Sequence, residues 1–384
     1  MLNHYLAKVC FTLGILYSAT THAEIELINQ KKILNDHDQF ILKTHGSIRL
    51  QALDFDSYNS SNENQKYRRN GYNSTSRMYF DADYQVNDRL HLIASYQNFF
   101  NPPKLLHWEN HYAENDQEFT TEQAYFGISD QQYGTLKFGK IYSIYYDVVG
   151  SKTDLWDYST LAQPQTWSPY AYFDGTQAAR KTLRYEKKTD FIDFYASYLF
   201  KDHLSNTDYT YERTSGQELA IDIHLNKNLS WATSWKHNKA KLYNTDQNYK
   251  ISQDMIATSL FYFDNTWMLA LGGGLYKNLL PNFDAYGQPT AQQMESLLNT
   301  KAYGIEYYAG YNFPIGHHGI KFIQPYVMGN KLKYTSGYTF SRRDIGVGVA
   351  ARFKHGIGFD YERLYTHDTF NTPDMHLFRL RYEW

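Results

Sequence analysis

The sequence predicts an all-β chain, a transmembrane antiparallel β-barrel of about sixteen strands. Three observations carry that expectation. The N-terminus has the make-up of an export signal. The body alternates apolar and polar residues in segments joined by short and long connections in turn. The last segment stops on Trp384 after placing aromatic or aliphatic residues at every second position.

Composition comes first. The chain has 384 residues with 37 Tyr, 23 Phe and 7 Trp, yet its mean hydropathy is -0.63. Aromatic-rich and hydrophilic together suit segments with one apolar and one polar face. Beyond residue 23 there is no run of about 18 apolar residues, so no membrane-spanning helix is expected there. A barrel strand escapes that test, because its lipid-facing and lumen-facing residues alternate. The 38 basic and 40 acidic residues leave a net charge of -2. That balance argues against a nucleic-acid partner, and any electrostatic function must come from local segregation of charge.

At the N-terminus, Lys8 supplies a positive charge, Val9 to Ala19 is apolar, and Thr21-His22-Ala23 sets small residues around a cleavage point. This reads as a signal peptide over 1–23, followed by a single barrel domain over 24–384. An anchor helix is the competing reading, and the short apolar core disfavours it. The only cysteine, Cys10, falls inside this segment, so disulfides, thiol catalysis and Cys-based metal sites drop out of the mature chain.

The strands show as period two. Met78, Phe80, Ala82, Tyr84 and Val86 take one face; Arg77, Tyr79, Asp81, Asp83 and Gln85 take the other. A tight turn at Val86 to Arg89 follows, and Leu90, Leu92, Ala94 and Tyr96 resume the apolar face. Similar turn signals recur at Asp130 to Gly134, Lys187 to Asp190, Asn226 to Asn228, Asp264-Asn265, Asn312 to Gly319 and Lys354-His355. Longer polar connections are expected near 57–74, 98–121, 141–178, 201–215, 237–253, 277–300, 332–341 and 366–373. Short turns at one rim and long loops at the other is an outer-membrane layout, whereas a soluble β-sandwich has no need of it.

In the final strand Phe378, Leu380, Tyr382 and Trp384 alternate with Leu377, Arg379, Arg381 and Glu383. The first set makes a complete lipid-facing stripe with an aromatic at the interface. It resembles the C-terminal assembly signal of outer-membrane barrels, which implies the barrel-assembly machinery as a partner during biogenesis.

Chemistry finds little purchase. No G-x-S-x-G, H-E-x-x-H or P-loop occurs. His107 and His111 stand four apart, but in a polar loop where solvation is the simpler role, and His317-His318 belongs to a turn. No enzyme activity, cofactor or metal is expected. The informative stretch runs from Thr121 to Tyr185, where about forty residues separate two strands. Connections that long are functional or disordered. Trp156, Tyr158, Trp167, Tyr170, Tyr172 and Phe173 speak against disorder, and an aromatic loop needs a wall to pack on. The barrel interior offers one.

The runs Ala124-Tyr-Phe-Gly-Ile-Ser, Tyr133 to Tyr142 and Tyr146-Asp-Val-Val-Gly150 resemble the general diffusion porins of Gram-negative outer membranes, as does Ala23-Glu24-Ile25 at the start of the mature chain. The likeness is residue-level over Thr121 to Asp157 and a matter of layout elsewhere. It implies a homotrimer of sixteen-stranded barrels in the outer membrane, in contact with its lipid and lipopolysaccharide. It also implies a third loop folded into the pore, with acidic residues facing a basic ladder. Position by position, Asp154 matches a constriction acid, and Asp157 stands in for a second whose place is taken by Tyr158. Arg77 matches a ladder arginine, and Lys140 stands where the family has arginine. Arg49 lies two residues from a third position occupied by Ser47. Arg180 is displaced by two from a fourth, with Arg184 further along.

Lys140 raises a conflict. Strict alternation sets it beside Leu136 and Phe138, facing lipid, where a charge costs up to about 2–4 kcal/mol. Either the strand ends or bulges before Lys140 or the match at this position fails, and the bulge is favoured because the long loop begins there. The loop also lacks the family's acidic, double-glycine tip. Its aromatics, Trp156, Tyr158 and Trp167 foremost, would suit stacking on sugar rings. Beside passive diffusion, a saccharide-selective channel and a non-conducting surface receptor or adhesin therefore stay open.

Overall fold

The computed structural model describes residues 24–29, 39–57, 71–155, 176–205, 210–279, 298–369 and 371–384. Sixteen long strands form a closed antiparallel ring. The first half comprises β1 (Gln39–Phe55), β2 (Arg77–Gln85), β3 (Leu90–Phe100), β4 (Phe119–Asp130), β5 (Gly134–Tyr142), β6 (Ala178–Lys187), β7 (Ile192–Leu199) and β8 (Thr210–Asn226). The second comprises β9 (Leu229–Tyr243), β10 (Asn248–Phe263), β11 (Trp267–Lys277), β12 (Lys301–Tyr311), β13 (Ile320–Ser336), β14 (Ser341–Phe353), β15 (Ile357–Asp368) and β16 (Met375–Glu383).

Each strand pairs with the next. The ring closes because β1 pairs with β2 over Gln39 to Ser47 and with β16 over Ser47 to Phe55. A short N-terminal strand, Ile25–Asn29, pairs with β1 just beyond the end of β16 and prolongs its line. The seam is tight. Gly46 and Trp384 exchange backbone hydrogen bonds of 2.9 and 3.1 Å, and a Cβ on Gly46 would lie 2.6 Å from the Trp384 ring. Closure gives each of the sixteen strands a partner on both sides, which is what a strand protein needs in hydrocarbon.

The wall is apolar outside and polar inside. On β16, Phe378, Leu380 and Tyr382 are exposed outward while Arg379 and Glu383 are buried inward. On β9, Trp231 faces out and Ser234, Lys236 and Asn238 face in. The alternation read from the sequence is thus the pleat itself.

The short turns fall where Asn, Asp and Gly predict them. At the turn from β10 to β11, the Asp264 carboxylate accepts hydrogen bonds from the backbone N–H of Trp267 (2.6 Å) and Thr266 (3.0 Å) and from the Tyr262 hydroxyl (2.8 Å). These bonds, that from Trp267 first, hold its pKa below the ordinary carboxylate value. A depressed carboxylate pKa stabilises the fold above the unfolded value, near about 4, and the gain is lost as pH falls through the folded one. Asp264→Ala should therefore lower the urea midpoint at pH 7. The gap to the parent should narrow as pH falls below the ordinary carboxylate value, as unfolding curves at neutral and acid pH will show.

One expectation fails. The stretch 237–253, read as a long loop, is strand almost throughout: β9 runs to Tyr243 and β10 starts at Asn248. Likewise β8 begins at Thr210, β13 reaches Ser336 and β15 reaches Asp368. The cause is that these strands rise beyond the apolar band. There the outward face turns polar, as at Lys239, Lys241 and Lys250, while the inward face carries buried Ala240, Leu242 and Ile251, so the apolar-out pattern inverts and the pleat continues unmarked.

Candidate pore lining and constriction

The segment leaving β5 turns back along the inner wall. Its described part, Ser143 to Leu155, places apolar residues at 144, 145, 148 and 149, the spacing of one helical face. It forms a wide π-helical turn at Tyr145–Val149 followed by a 3-10 turn at Gly150–Lys152. Backbone bonds from Asp147 N to Ser143 O (2.8 Å) and from Asp154 N to Gly150 O (3.0 Å) satisfy polar groups that no sheet partner reaches. Ile144, Tyr145, Val148 and Val149 are buried together with Ala220, Ala232 and Met255 of the wall. The Tyr145 hydroxyl donates to that of Tyr276 at 3.1 Å.

Ionic anchors fix the same segment. Glu218, an inward residue of β8 with 1% exposure, accepts from Ser143 Oγ (2.6 Å), Ile144 N (3.1 Å), Ser197 Oγ (2.6 Å) and Lys236 Nζ (2.8 Å). Lys152 Nζ reaches both Asp222 oxygens at 2.8 Å and also Ser230 Oγ. Thr153 Oγ1 donates to Glu306 at 3.2 Å, and Arg184 of β6 clasps Asp147 at 2.6 Å. The Lys152–Asp222 and Lys236–Glu218 charges are tolerated this deep because each is both paired and hydrogen-bonded.

The expected constriction residues separate. Asp154 lies at the end of the anchored turns and accepts a 2.8 Å hydrogen bond from the Tyr146 hydroxyl. Arg77 stands opposite the buried, inward Ser47 in register. Arg49 faces inward on β1, 3.3 Å from Glu383. Arg180 instead sits half-exposed at the loop-side rim, holding Asp202 through two hydrogen bonds of 2.9 and 3.1 Å. The backbone flips next to it, at Lys181 (φ 55°), so Arg184 rather than Arg180 reaches the inner segment.

The bulge expected at Lys140 is present. Gly139 has φ 152°, and the register between β5 and β6 slips between Gly139 and Ile141. Lys140 Nζ donates to the Thr121 carbonyl. Asp157, Trp156, Tyr158 and Trp167 lie outside the described residues, as does the segment 1–23. His111 bonds the Gly71 carbonyl through Nδ1 (3.0 Å), an ordinary loop contact.

Sequence reasoning missed Glu218, Asp222, Lys236, Lys152 and Glu306. The inward direction of Glu218, Asp222, Lys236 and Glu306 was legible from alternation, since Lys236, for one, shares a face with Ser234 and Asn238. That they meet a loop folded back from β5 was not.

A family model described as Gram-negative porin matches residues 13–322. The chain belongs to that family. No curated protein matches this porin by sequence. Among solved structures it is similar to Salmonella typhi OmpF in complex with daunomycin, with a TM-score of 0.65 and 15% identity over 94% of this chain and 100% of that one. An anion-selective porin from Comamonas acidovorans gives 0.63 and 11% identity, covering 90% of this chain and 100% of that. The trimer form of OmpT from Vibrio cholerae gives 0.60 and 13%, covering 90% and 99%. Such identities establish a shared barrel, and the porin family places this one in the outer membrane.

Proposed function

We propose that this porin forms a water-filled channel for passive diffusion of ions and small hydrophilic solutes, without catalysis. Its selectivity is set where the inner segment faces the basic wall. The observation that carries the reading is the anchored turn Ser143 to Leu155. Asp154 ends that turn with the Tyr146 hydroxyl donating to it, which supports reading it as the acidic side of the constriction, with Arg77 as its basic counterpart. Opposed charges across a narrow pore make a transverse field that sorts ions by sign. Asp157 on the acidic side, and Lys140, Arg49 and Arg180 on the basic side, belong to the same proposal in a lesser role. Removal of residues 1–23, recognition of the C-terminal stripe by the assembly machinery, and a homotrimer embedded in lipid and lipopolysaccharide complete it.

Reversal potentials in a salt gradient test the assignment. Asp154→Asn should shift the permeability ratio toward anions and Arg77→Gln toward cations, each by about twofold at low salt and less at high salt. Unchanged potentials in both variants would remove these residues from the constriction. Block of the current by an oligosaccharide, relieved on replacing Trp156 or Trp167, would favour the sugar-selective reading.

A further inference from the structure

One row of the inner wall is neutral where an ion-sorting wall would be charged. On β2, β3 and β4, Tyr79, Gln97 and Gln123 stand opposite one another in register. Tyr142 of β5 joins them, its backbone N–H donating to Gln123 Oε1 at 3.1 Å. The row faces the lumen, because Tyr96 and Phe126, which alternate with it, are exposed on the outer wall.

Gln97 sets the row in place. It is fully buried, at 0% exposure. Its Nε2 donates to the hydroxyls of Tyr79 (3.0 Å) and Tyr142 (3.1 Å), and its Oε1 accepts from Gln123 Nε2 at 3.0 Å. Both N–H bonds and the carbonyl of this amide are thus engaged, which fixes the two phenols. A phenol that accepts from Gln97 keeps its own proton to give. Among the described residues, neither Tyr79 nor Tyr142 has a hydrogen-bond acceptor for that proton. Two oriented donors are left for an acceptor from the lumen.

The rings continue from the wall to the inner segment. Tyr142 meets Tyr146 edge-on with centres 5.2 Å apart, and the Tyr146 hydroxyl donates to Asp154 at 2.8 Å. At the other end, the Tyr79 ring lies 4.2 Å from that of His45. Tyr79, Tyr142 and Tyr146 are each half-buried, so part of every ring stays open. Water satisfies a phenol but gains nothing from an aromatic face. A small ion gains nothing from a neutral row, and an aliphatic solute leaves the phenolic protons unpaired. A sugar matches both features. Its C–H face lies on a ring while its rim of hydroxyls accepts from the phenols and meets the Gln123 amide.

We propose that Tyr79, Tyr142 and Tyr146, with Gln97 as their positioning residue, form a binding site for neutral sugars in transit through the lumen. The site does not draw on Trp156, Tyr158 or Trp167. It rests on the channel reading and names a solute class for it. Binding to protein in detergent is read without current, so the two can fail separately.

The test uses the purified full-length protein in neutral detergent, titrated with maltotriose and with a polyethylene glycol of the same mass. Saturation-transfer NMR reports the bound fraction of each. The parent should bind maltotriose saturably, with half-saturation on the order of 1–10 mM, since a transported solute must also leave. The glycol should give no saturable signal. In Y79F/Y142F, which keeps the rings and loses the donors, binding should weaken about fivefold. In Y79L/Y142L it should weaken at least about tenfold. Tyrosines that only support the wall would lower the urea midpoint and leave the half-saturation where it was. In planar bilayers, maltotriose should interrupt the parent's current over the same concentration range. Saturable binding by a protein that shows no current step would uphold the site and overturn the channel reading. A parent that binds neither solute saturably, or both equally, would overturn the site whether or not the variants fold, as would undiminished binding in folded Y79L/Y142L.

Discussion

Replacing Glu218 with glutamine should destabilise the barrel by about 3–5 kcal/mol and loosen the segment inside it, because it breaks a buried ion pair from one side. Glu218 and Lys236 have side-chain exposures of 1% and 0%, and water cannot replace the lost carboxylate. The same carboxylate holds Ser143 and Ile144, the first residues of the inner segment. Two readouts should therefore move together: a lower urea midpoint, and a larger or noisier single-channel current. Removing the partner charge as well, in E218Q/K236M, should recover much of the stability, since a neutral pair leaves no buried charge behind. It should not quiet the current, because the loop anchor stays weakened. If Glu218→Gln leaves both midpoint and current unchanged, the segment is held by other contacts.

Leu380→Arg is the second large effect, at about 2–4 kcal/mol if Leu380 lies near mid-membrane. The chain already tolerates arginine on either side, at 379 and 381, because those residues turn inward. Arg379 is buried beside Asp360 and Gln51, and Arg381 donates to Asp360 at 2.6 Å. Leu380 is 57% exposed on the outward face. A shift of one residue along the strand thus separates a satisfied guanidinium from one stranded in lipid. Urea unfolding from lipid vesicles measures the difference, and a midpoint equal to the parent's would mean that the outward face of β16 does not meet hydrocarbon.

These two residues mark how far the sequence could be read. The faces of β16 and β2 follow from alternation alone, because within the apolar band the contrast between lipid and lumen is written at every second residue. The short turns at Asn226 to Asn228 and at Asp264 follow from local hydrogen-bonding chemistry. Even the bulge near Lys140 was foreseeable, since a lysine in line with Phe138 demanded one.

What escaped detection needed the third dimension. Lys239, Lys241 and Lys250 lie where the strands leave the apolar band, so an outward face that turns polar looked like loop although Ala240, Leu242 and Ile251 stay buried on the inner one. Glu218 could be placed inside the barrel but not under Ser143, because 75 residues separate them in sequence. Arg180 and Arg184 were read on one face, and the left-handed backbone at Lys181 puts them on different tasks.

The central claim is that this barrel conducts. Purified, folded protein added to a planar bilayer in symmetric salt should produce discrete, ohmic current steps, with selectivity that moves in opposite directions in Asp154→Asn and Arg77→Gln. Protein that is folded by its resistance to denaturant, yet inserts into the bilayer without any step in current, would contradict it.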